Sequence, residues 1–357
     1  MKKQSLLFWI FLGVYGSLSA QEVVWKAGIH SFFDNTEFSG ASVQTSQTMA
    51  GVHLAPEIGL TWNQKHRIYA GIDAMHEFGS DKAIDYYNPI LYYEYTNKSF
   101  RFQMGAFPRQ PALDKYPRMF FQDSIKNYRP VLNGFFWEYT SNGNQANVWL
   151  DWTGRQTRER NESFFMGWSG RYNWKLFYAQ HFGYMFHYAK VKEPETDESV
   201  HDNGLLLTSL GIDLAEKMNF EKLEVNAGWS MGLDRDRSAG VWNRPQGFLS
   251  EIKVEYKGVG LFNTYYKGES QQAYYGDHSN GLYWGDPVYR SKEYDRVDLY
   301  IQFIKTSVVN LKFVYSFHFV EKQTYHEQLL SATFDLDNLK GKTKEKKYNY
   351  LWDNWFN

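Results

Sequence analysis

Five residues spell a G-x-S-x-G pattern, Gly228-Trp229-Ser230-Met231-Gly232. That pattern places a serine nucleophile on a sharp strand-to-helix turn beside an oxyanion hole. The neighbouring residues do not supply the turn. From Leu223 to Met231 the odd positions are Leu, Val, Ala, Trp and Met, while Glu224, Asn226, Gly228 and Ser230 fill the even ones. Such alternation is a strand with one apolar and one wet face, so Ser230 is expected on the wet side with no helix following. The ten histidines do not complete an H-E-x-x-H spacing: His76-Glu77 and His326-Glu327 have no second His at the required offset. No cysteine is present, which removes thiolate chemistry, Cys-based metal sites and disulfides. On this reading the chain is not an enzyme and holds neither metal nor cofactor. A hydrolase of the outer membrane is the least favoured alternative.

The alternation that disqualifies Ser230 recurs along the chain. Val297, Leu299, Ile301 and Phe303 alternate with Arg296, Asp298, Tyr300 and Gln302, and Leu311, Phe313, Tyr315, Phe317 and Phe319 with Asn310, Lys312, Ser316 and His318. Phe100, Phe102 and Met104 alternate with Arg101 and Gln103, and Ile252, Val254 and Tyr256 with Glu251, Lys253 and Glu255. The first twenty residues, MKKQSLLFWIFLGVYGSLSA, join Lys2 and Lys3 to a short apolar run and a small-residue end. They read as an export signal cut before Gln21. The rest, 21–357, reads as one domain. Mean hydropathy is −0.58, and no later apolar stretch is long enough to cross a bilayer as a helix, so a membrane location requires strands. Aromatic residues make up 19%, with 13 Trp and 27 Tyr, which suits rings at two membrane interfaces. Net charge is −1, and −3 once Lys2 and Lys3 leave with the signal, so nucleic acid is not an implied partner.

Connection lengths separate a membrane barrel from a soluble sandwich, because barrels pair tight periplasmic turns with longer external loops. Short links are expected at Asn63-Gln64-Lys65, Asn97-Lys98, Ser141 to Asn144, Tyr172-Asn173, Glu216 to Asn219, Lys257-Gly258 and Thr306 to Val308. Between them fall longer ones, above all Pro108 to Asn133 and Gly268 to Glu293. The fold class is therefore all-β: a transmembrane antiparallel β-barrel of about 16 strands, within 14 to 18, in the outer membrane of a Gram-negative bacterium. The stretch 340–357 opens on a charge run and ends on Tyr348, Tyr350, Trp352, Trp355 and Phe356, so it reads either as a periplasmic tail or as a closing strand.

A barrel of this width encloses water. The reading is accordingly a porin passing small hydrophilic solutes, with Arg101, Glu224, Lys253, Arg296 and Asp298 among its lumen residues. The loop after Phe107 carries Arg109, Lys115, Arg118, Lys126 and Arg129 against Asp114 and Asp123, a balance of +3. Folded inward, these five basic residues would form a constriction favouring anions. The stretch GAFPRQPALDKYPRMFFQDSIKNYRPVLNGFFWEY resembles the corresponding part of the phosphate-selective porin type. That resemblance implies a sixteen-stranded porin constricted at its third external loop. The many interspersed acids depart from a basic ladder, so phosphate selectivity is not implied.

The second long loop, GESQQAYYGDHSNGLYWGDPVYRSKE, sets Tyr274, Tyr275, Tyr283 and Trp284 beside Asp277 and Asp286. Rings next to carboxylates suit a sugar, although rings packing the loop onto the barrel rim are the simpler explanation. The expected partners are outer-membrane lipid, small hydrophilic solutes, and a second copy or another outer-membrane protein. The alternative to a porin is a non-conducting accessory barrel of a surface glycan-uptake or other outer-membrane complex.

Overall fold

A computed structural model describes residues 21–110, 112–193, 199–339 and 348–353. The export signal at 1–20 and the charge run from Lys340 lie outside the described residues. Sixteen long strands follow one another around a single antiparallel sheet. They are β1 (Glu22–Glu37), β2 (Gln47–Trp62), β3 (His66–Glu77), β4 (Tyr86–Thr96), β5 (Phe100–Pro108), β6 (Val131–Ser141), β7 (Asn144–Gly154) and β8 (Ser163–Trp174). The second half comprises β9 (Phe177–Tyr188), β10 (His201–Asp213), β11 (Lys222–Asp236), β12 (Gln246–Tyr256), β13 (Val259–Gly268), β14 (Glu293–Lys305), β15 (Val309–Val320) and β16 (Gln323–Asp337). β1 pairs with β2 on one side and with β16 on the other, from Lys26 opposite Asp337 to Glu37 opposite His326. The sheet is thereby closed.

The alternation sorts side chains as the sequence suggests. Ile58, Leu91, Leu210 and Trp229 face outward and are 55–70% exposed. Their neighbours Glu57, Ser209 and Ser230 face the lumen and are buried. A belt of bare Ile, Leu, Val, Phe and Trp around the whole circumference is stable only against hydrocarbon. The protein is an outer-membrane barrel.

Turn chemistry sets the strand register at the periplasmic end. Asn142-Gly143 (φ 50° and 79°) and Lys257-Gly258 (φ 49° and 87°) place both turn residues in the left-handed region, the backbone of the two-residue hairpin turn that matches strand twist. The turn expected at Tyr172-Asn173 falls instead at Lys175-Leu176, with Lys175 at φ 56°. Tyr172 and Trp174 continue the outward face, Trp174 stacking on Phe177 at 6.2 Å. Asn173 is held by the neighbouring hairpin through Asn144 and Gly143. Lys175 is thus an exposed turn residue.

The described part of the C-terminal stretch is no strand. Leu351 N donates to the Lys257 carbonyl, Tyr350 OH accepts from Lys305 N, and Tyr348 OH bonds Glu255. This segment lies across the periplasmic turns of β12 to β15. The two ends of the barrel give an expected outcome in labelling. In this Cys-free chain, Asp277→Cys should react with an impermeant maleimide on intact cells, and Asn97→Cys only after permeabilisation. Equal reaction at both positions would refute the orientation.

Candidate functional site

Loops 109–130 and 269–292 do not stand above the barrel. They fill its lumen. Tyr116, Met119, Phe120 and Phe121 of the first loop, and Leu282, Tyr283, Trp284, Val288 and Tyr289 of the second, are buried in one cluster with wall residues Trp149, Phe165, Phe182, Tyr184 and Phe186. Trp284 sits edge-on to Phe165 at 4.9 Å, and Tyr116 OH accepts from Trp149 Nε1 at 2.8 Å. The loops also pair through their backbones, Gln122 N to the Trp284 carbonyl at 2.8 Å and Asp286 N to the Arg118 carbonyl at 2.9 Å. Gly285 permits that approach: a Cβ there would stand 2.0 Å from the Met119 carbonyl oxygen.

Ion pairs fasten this plug to the wall. Arg109 donates to Asp151 at 2.6 Å and to the carbonyls of Arg129 and Val131, while Asp151 also accepts from Asn133 N. Arg118 binds Asp123 at 2.6 Å and Asp298 at 3.1 Å. Arg296 reaches Asp298 at 2.6 Å, Glu327 at 2.9 Å and Asp123 at 3.8 Å. Burial opposes ionisation of Asp123, but Arg118, Lys126 and Arg296 outweigh it and hold the carboxyl below its ordinary range. For Asp286, burial prevails over the attraction of Arg296 and raises its pKa to about 6.

These contacts change the reading of the five basic loop residues. Arg109 and Arg118 are neutralised within the plug, and Arg129 and Arg109 both lie over the Trp284 ring, at 5.4 and 5.3 Å. Lys115 bonds Gln145. Lys115, Lys126 and Arg129 are exposed, and of the five only Lys126 borders the cavity described below. They do not make a free cationic ring. The aromatic loop is likewise internal: Tyr283, Trp284 and Asp286 are buried, Tyr274 and Tyr275 half-buried, and Asp277 alone is fully exposed. No exposed ring-and-carboxylate face for a sugar is assembled from these six. Of the remaining lumen candidates, Glu224 binds Arg171 at 3.1 Å and Lys253 binds Glu251 at 3.1 Å, whereas Arg101 pairs with Glu138 at 3.4 Å and also borders the cavity described next.

Beneath the plug, a cavity of about 520 Å³ remains against β1 to β5 and β16, roofed by Pro108, Gln110, Asp114, Lys126 and Pro130. Its lining is acidic. Glu57, Asp73, Glu94, Asp114, Asp335 and Asp337 face only Lys26, Arg101 and Lys126. Tyr92 OH donates to Glu57 and accepts from Lys26, each at 2.9 Å. On the same wall His53 Nδ1 contacts Asp73 Oδ1 at 2.8 Å, both residues buried, and His53 Nε2 has no partner. An imidazole oriented by a carboxylate through one nitrogen can take up a proton at the other. Beside it, His30 contacts Asn127 Oδ1 at 3.2 Å, Asn127 belonging to α1 (Asp123–Tyr128) of the plug. The sequence reading overlooked His53. The signal was its place between Gly51 and Ala55 on the inward face of β2, but only the β2–β3 register brings it to Asp73. Ser230 is fully buried, its Oγ donating to the Gly247 carbonyl at 3.1 Å. Among the described residues no group of three His, Asp or Glu stands ready to hold a metal.

A family profile described as lipid A 3'-O-deacylase-type matches residues 17–348. The chain belongs to this family. The expectation that it is not an enzyme is thereby overturned, because the family is an enzymatic one. The G-x-S-x-G test had asked for a soluble hydrolase's strand-turn-helix, which a barrel cannot contain. No curated protein matches the chain. Among solved structures it is similar to an anion-selective porin from Comamonas acidovorans, at 10% identity and a TM-score of 0.54, covering 88% of this chain and 100% of that one. It is also similar to a loop-deletion mutant of the Vibrio cholerae outer-membrane protein OmpT, at 8% identity and a TM-score of 0.53, covering 89% and 100%. OprD of Pseudomonas aeruginosa aligns at 9% identity and a TM-score of 0.52, covering 89% and 94%. These likenesses establish the fold the family member shares with porins.

The Arg109–Asp151 pair supplies a test of the plug. Arg109→Ala strands a buried carboxylate, a loss of about 3–5 kcal/mol for a pair of this kind. The variant should keep its barrel and lose the plug first, seen as a lower midpoint of Trp fluorescence unfolding in detergent and as bilayer openings more frequent than in the wild type. An unchanged midpoint and unchanged bilayer traces would show that the pair does not hold the loop.

Proposed function

We propose that the protein is an ester hydrolase of the outer membrane, with His53 and Asp73 as its general base pair and an acylated glycolipid as its substrate class. The observation that carries this reading is the carboxylate-oriented imidazole on the wall of a polar cavity, in a chain whose family is named for deacylation. His53 Nε2 takes a proton from water while the water oxygen attacks the ester carbonyl. The tetrahedral intermediate then breaks its bond to the alkoxy oxygen, and the proton passes to that leaving alcohol, giving acid and alcohol. Lys26 and Arg101, bordering the same cavity, are the candidates to meet the negative charge that develops on the carbonyl oxygen. His53 Nε2 is covered by protein in this state, so the reaction requires a shift of loop 109–130, whose Asn127 holds His30.

Refolded protein should release fatty acid from purified lipid A, read by mass spectrometry as loss of one acyl chain. His53→Ala should slow that release roughly 10²–10⁴-fold, the span of a general base, and Asp73→Asn should also slow it. Hydrolysis untouched by either variant places the chemistry elsewhere, and no hydrolysis at all defeats the proposal.

A second reading is a restricted passage for small hydrophilic solutes. It is favoured by the polar, acidic cavity, which would bias such a passage toward cations, opposite to the bias expected from the basic loop. Stepwise wild-type conductance with a cation-shifted reversal potential would support it. Neither hydrolysis nor conductance would leave the accessory barrel.

A further inference from the structure

One seam of the wall is not laddered to its full height. β4 and β5 pair from Leu91–Ala106 to Thr96–Arg101, six residue pairs, whereas among the described residues every other seam between long strands has at least the eight of β6 and β7. Beyond Leu91, β4 keeps its bonds to β3 as far as Tyr86–Met75, and β5 keeps its bonds to β6 as far as Pro108–Val131. Only the pairing between β4 and β5 stops. Continuing their register sets Ile90 opposite Phe107 and Pro89 opposite Pro108. Proline has no N–H to give a ladder, and for that reason it is tolerated at a strand edge. An unpaired donor in hydrocarbon is costly, so two facing prolines let this seam stay unbonded where other residues would force it shut.

The same level of β3 is loosely held. Its ladder to β2 lapses between Leu54–Ala74 and Glu57–Gly71, where Pro56 stands, and on its other side Ile72 faces Pro89. Proline thus flanks Ile72 on both neighbouring strands, and the next residue is Asp73. Lipid meets the seam from outside: Ile72, Leu91 and Met104 are exposed apolar side chains beside it, with Tyr87 exposed above them. Inside, Ile90 and Phe107 are buried, and the Phe107 ring lies 6.0 Å from that of Tyr92. Tyr92 and Pro108 both border the acidic cavity. A path from hydrocarbon to His53 and Asp73 therefore passes Ile90 and Phe107, whereas a path from the external mouth passes the whole plug.

We propose that the upper β4–β5 seam is a lateral portal through which an acyl chain of a membrane glycolipid reaches the cavity. The identity of the lipid rests on the hydrolase reading, and the portal rests on the interrupted ladder. β5 runs from Pro108 directly into Arg109 and the first plug loop, so parting of the seam and the loop shift that uncovers His53 Nε2 are one movement. An acyl chain entering here brings its ester to the wall that carries Asp73, and the headgroup has no need to pass the plug.

The test uses the full-length protein reconstituted in vesicles that contain a phospholipid with a diazirine in mid-chain. On illumination the label should reach Ile90, Tyr92 and Phe107 inside the wall as well as Leu91 and Met104 outside it, mapped by peptide mass spectrometry. Because the chain has no Cys, Pro89→Cys with Pro108→Cys can be joined across the seam by a disulfide or a short thiol cross-linker. Val254→Cys with Leu261→Cys, joined across the laddered β12–β13 seam, is the control. Closing the first pair should abolish the inner label, leave the outer label, and cut release of fatty acid from lipid A to background. Closing the control pair should change none of these. Folding of each variant is checked by heat-modifiable migration in electrophoresis. No inner label in the wild type, or an inner label that survives closure, overturns the portal. Inner labelling that closure abolishes, with no hydrolysis at all, upholds the portal and removes the hydrolase reading alone.

Discussion

Every other feature of this molecule depends on the ladder between the first strand and the last. In hydrocarbon an unpaired backbone amide or carbonyl has no water to turn to and costs several kcal/mol, so an open sheet of sixteen strands joined by fifteen ladders would still fail at its two edges. Pairing of β1 with β16 from Lys26–Asp337 to Glu37–His326 removes both edges at once. With the ring closed, the outward face needs only apolar side chains to be stable in lipid. The inward face is then free to carry almost any residue.

That freedom explains why the interior carries ionised groups and aromatic rings side by side. A ring of sixteen strands is too wide for wall side chains alone to fill. Here the gap is closed by two long loops packed ring against ring, and the ionised groups that face the lumen become the plug's anchors. A buried guanidinium such as Arg109 or Arg296 is tolerable because carboxylates meet it, helped at Arg109 by the carbonyls of Arg129 and Val131. An acidic compartment remains open beneath the plug, and on its wall His53 is oriented by Asp73 with its Nε2 unpartnered.

The barrel was legible in the sequence because two of its rules are local. Alternation within Leu223–Met231 needs only neighbouring residues, and Lys257-Gly258 announces its own turn. The slip at Tyr172-Asn173 arose where those rules disagreed: Asn173 has turn chemistry, but Trp174 extends the aromatic interface, and the interface prevailed. The functional residues were less legible, since a lumen contact joins positions that only strand register can align. The +3 charge of the first long loop was counted correctly, but Asp151 and Asp298, far away in sequence, pair with Arg109 and Arg118. His53 carries no motif of its own and acquires meaning only through its side-chain contact with Asp73.

The plug joins a loop between β5 and β6 to a loop between β13 and β14, so its two halves are separated by eight strands of wall. Gln122 cannot meet the Trp284 carbonyl until those strands have curved into an arc. Completion of the plug therefore depends on the curvature of the wall between its halves. The seal of the lumen is thus a long-range contact, made by two loops that are distant along the chain and meet only across a curved wall.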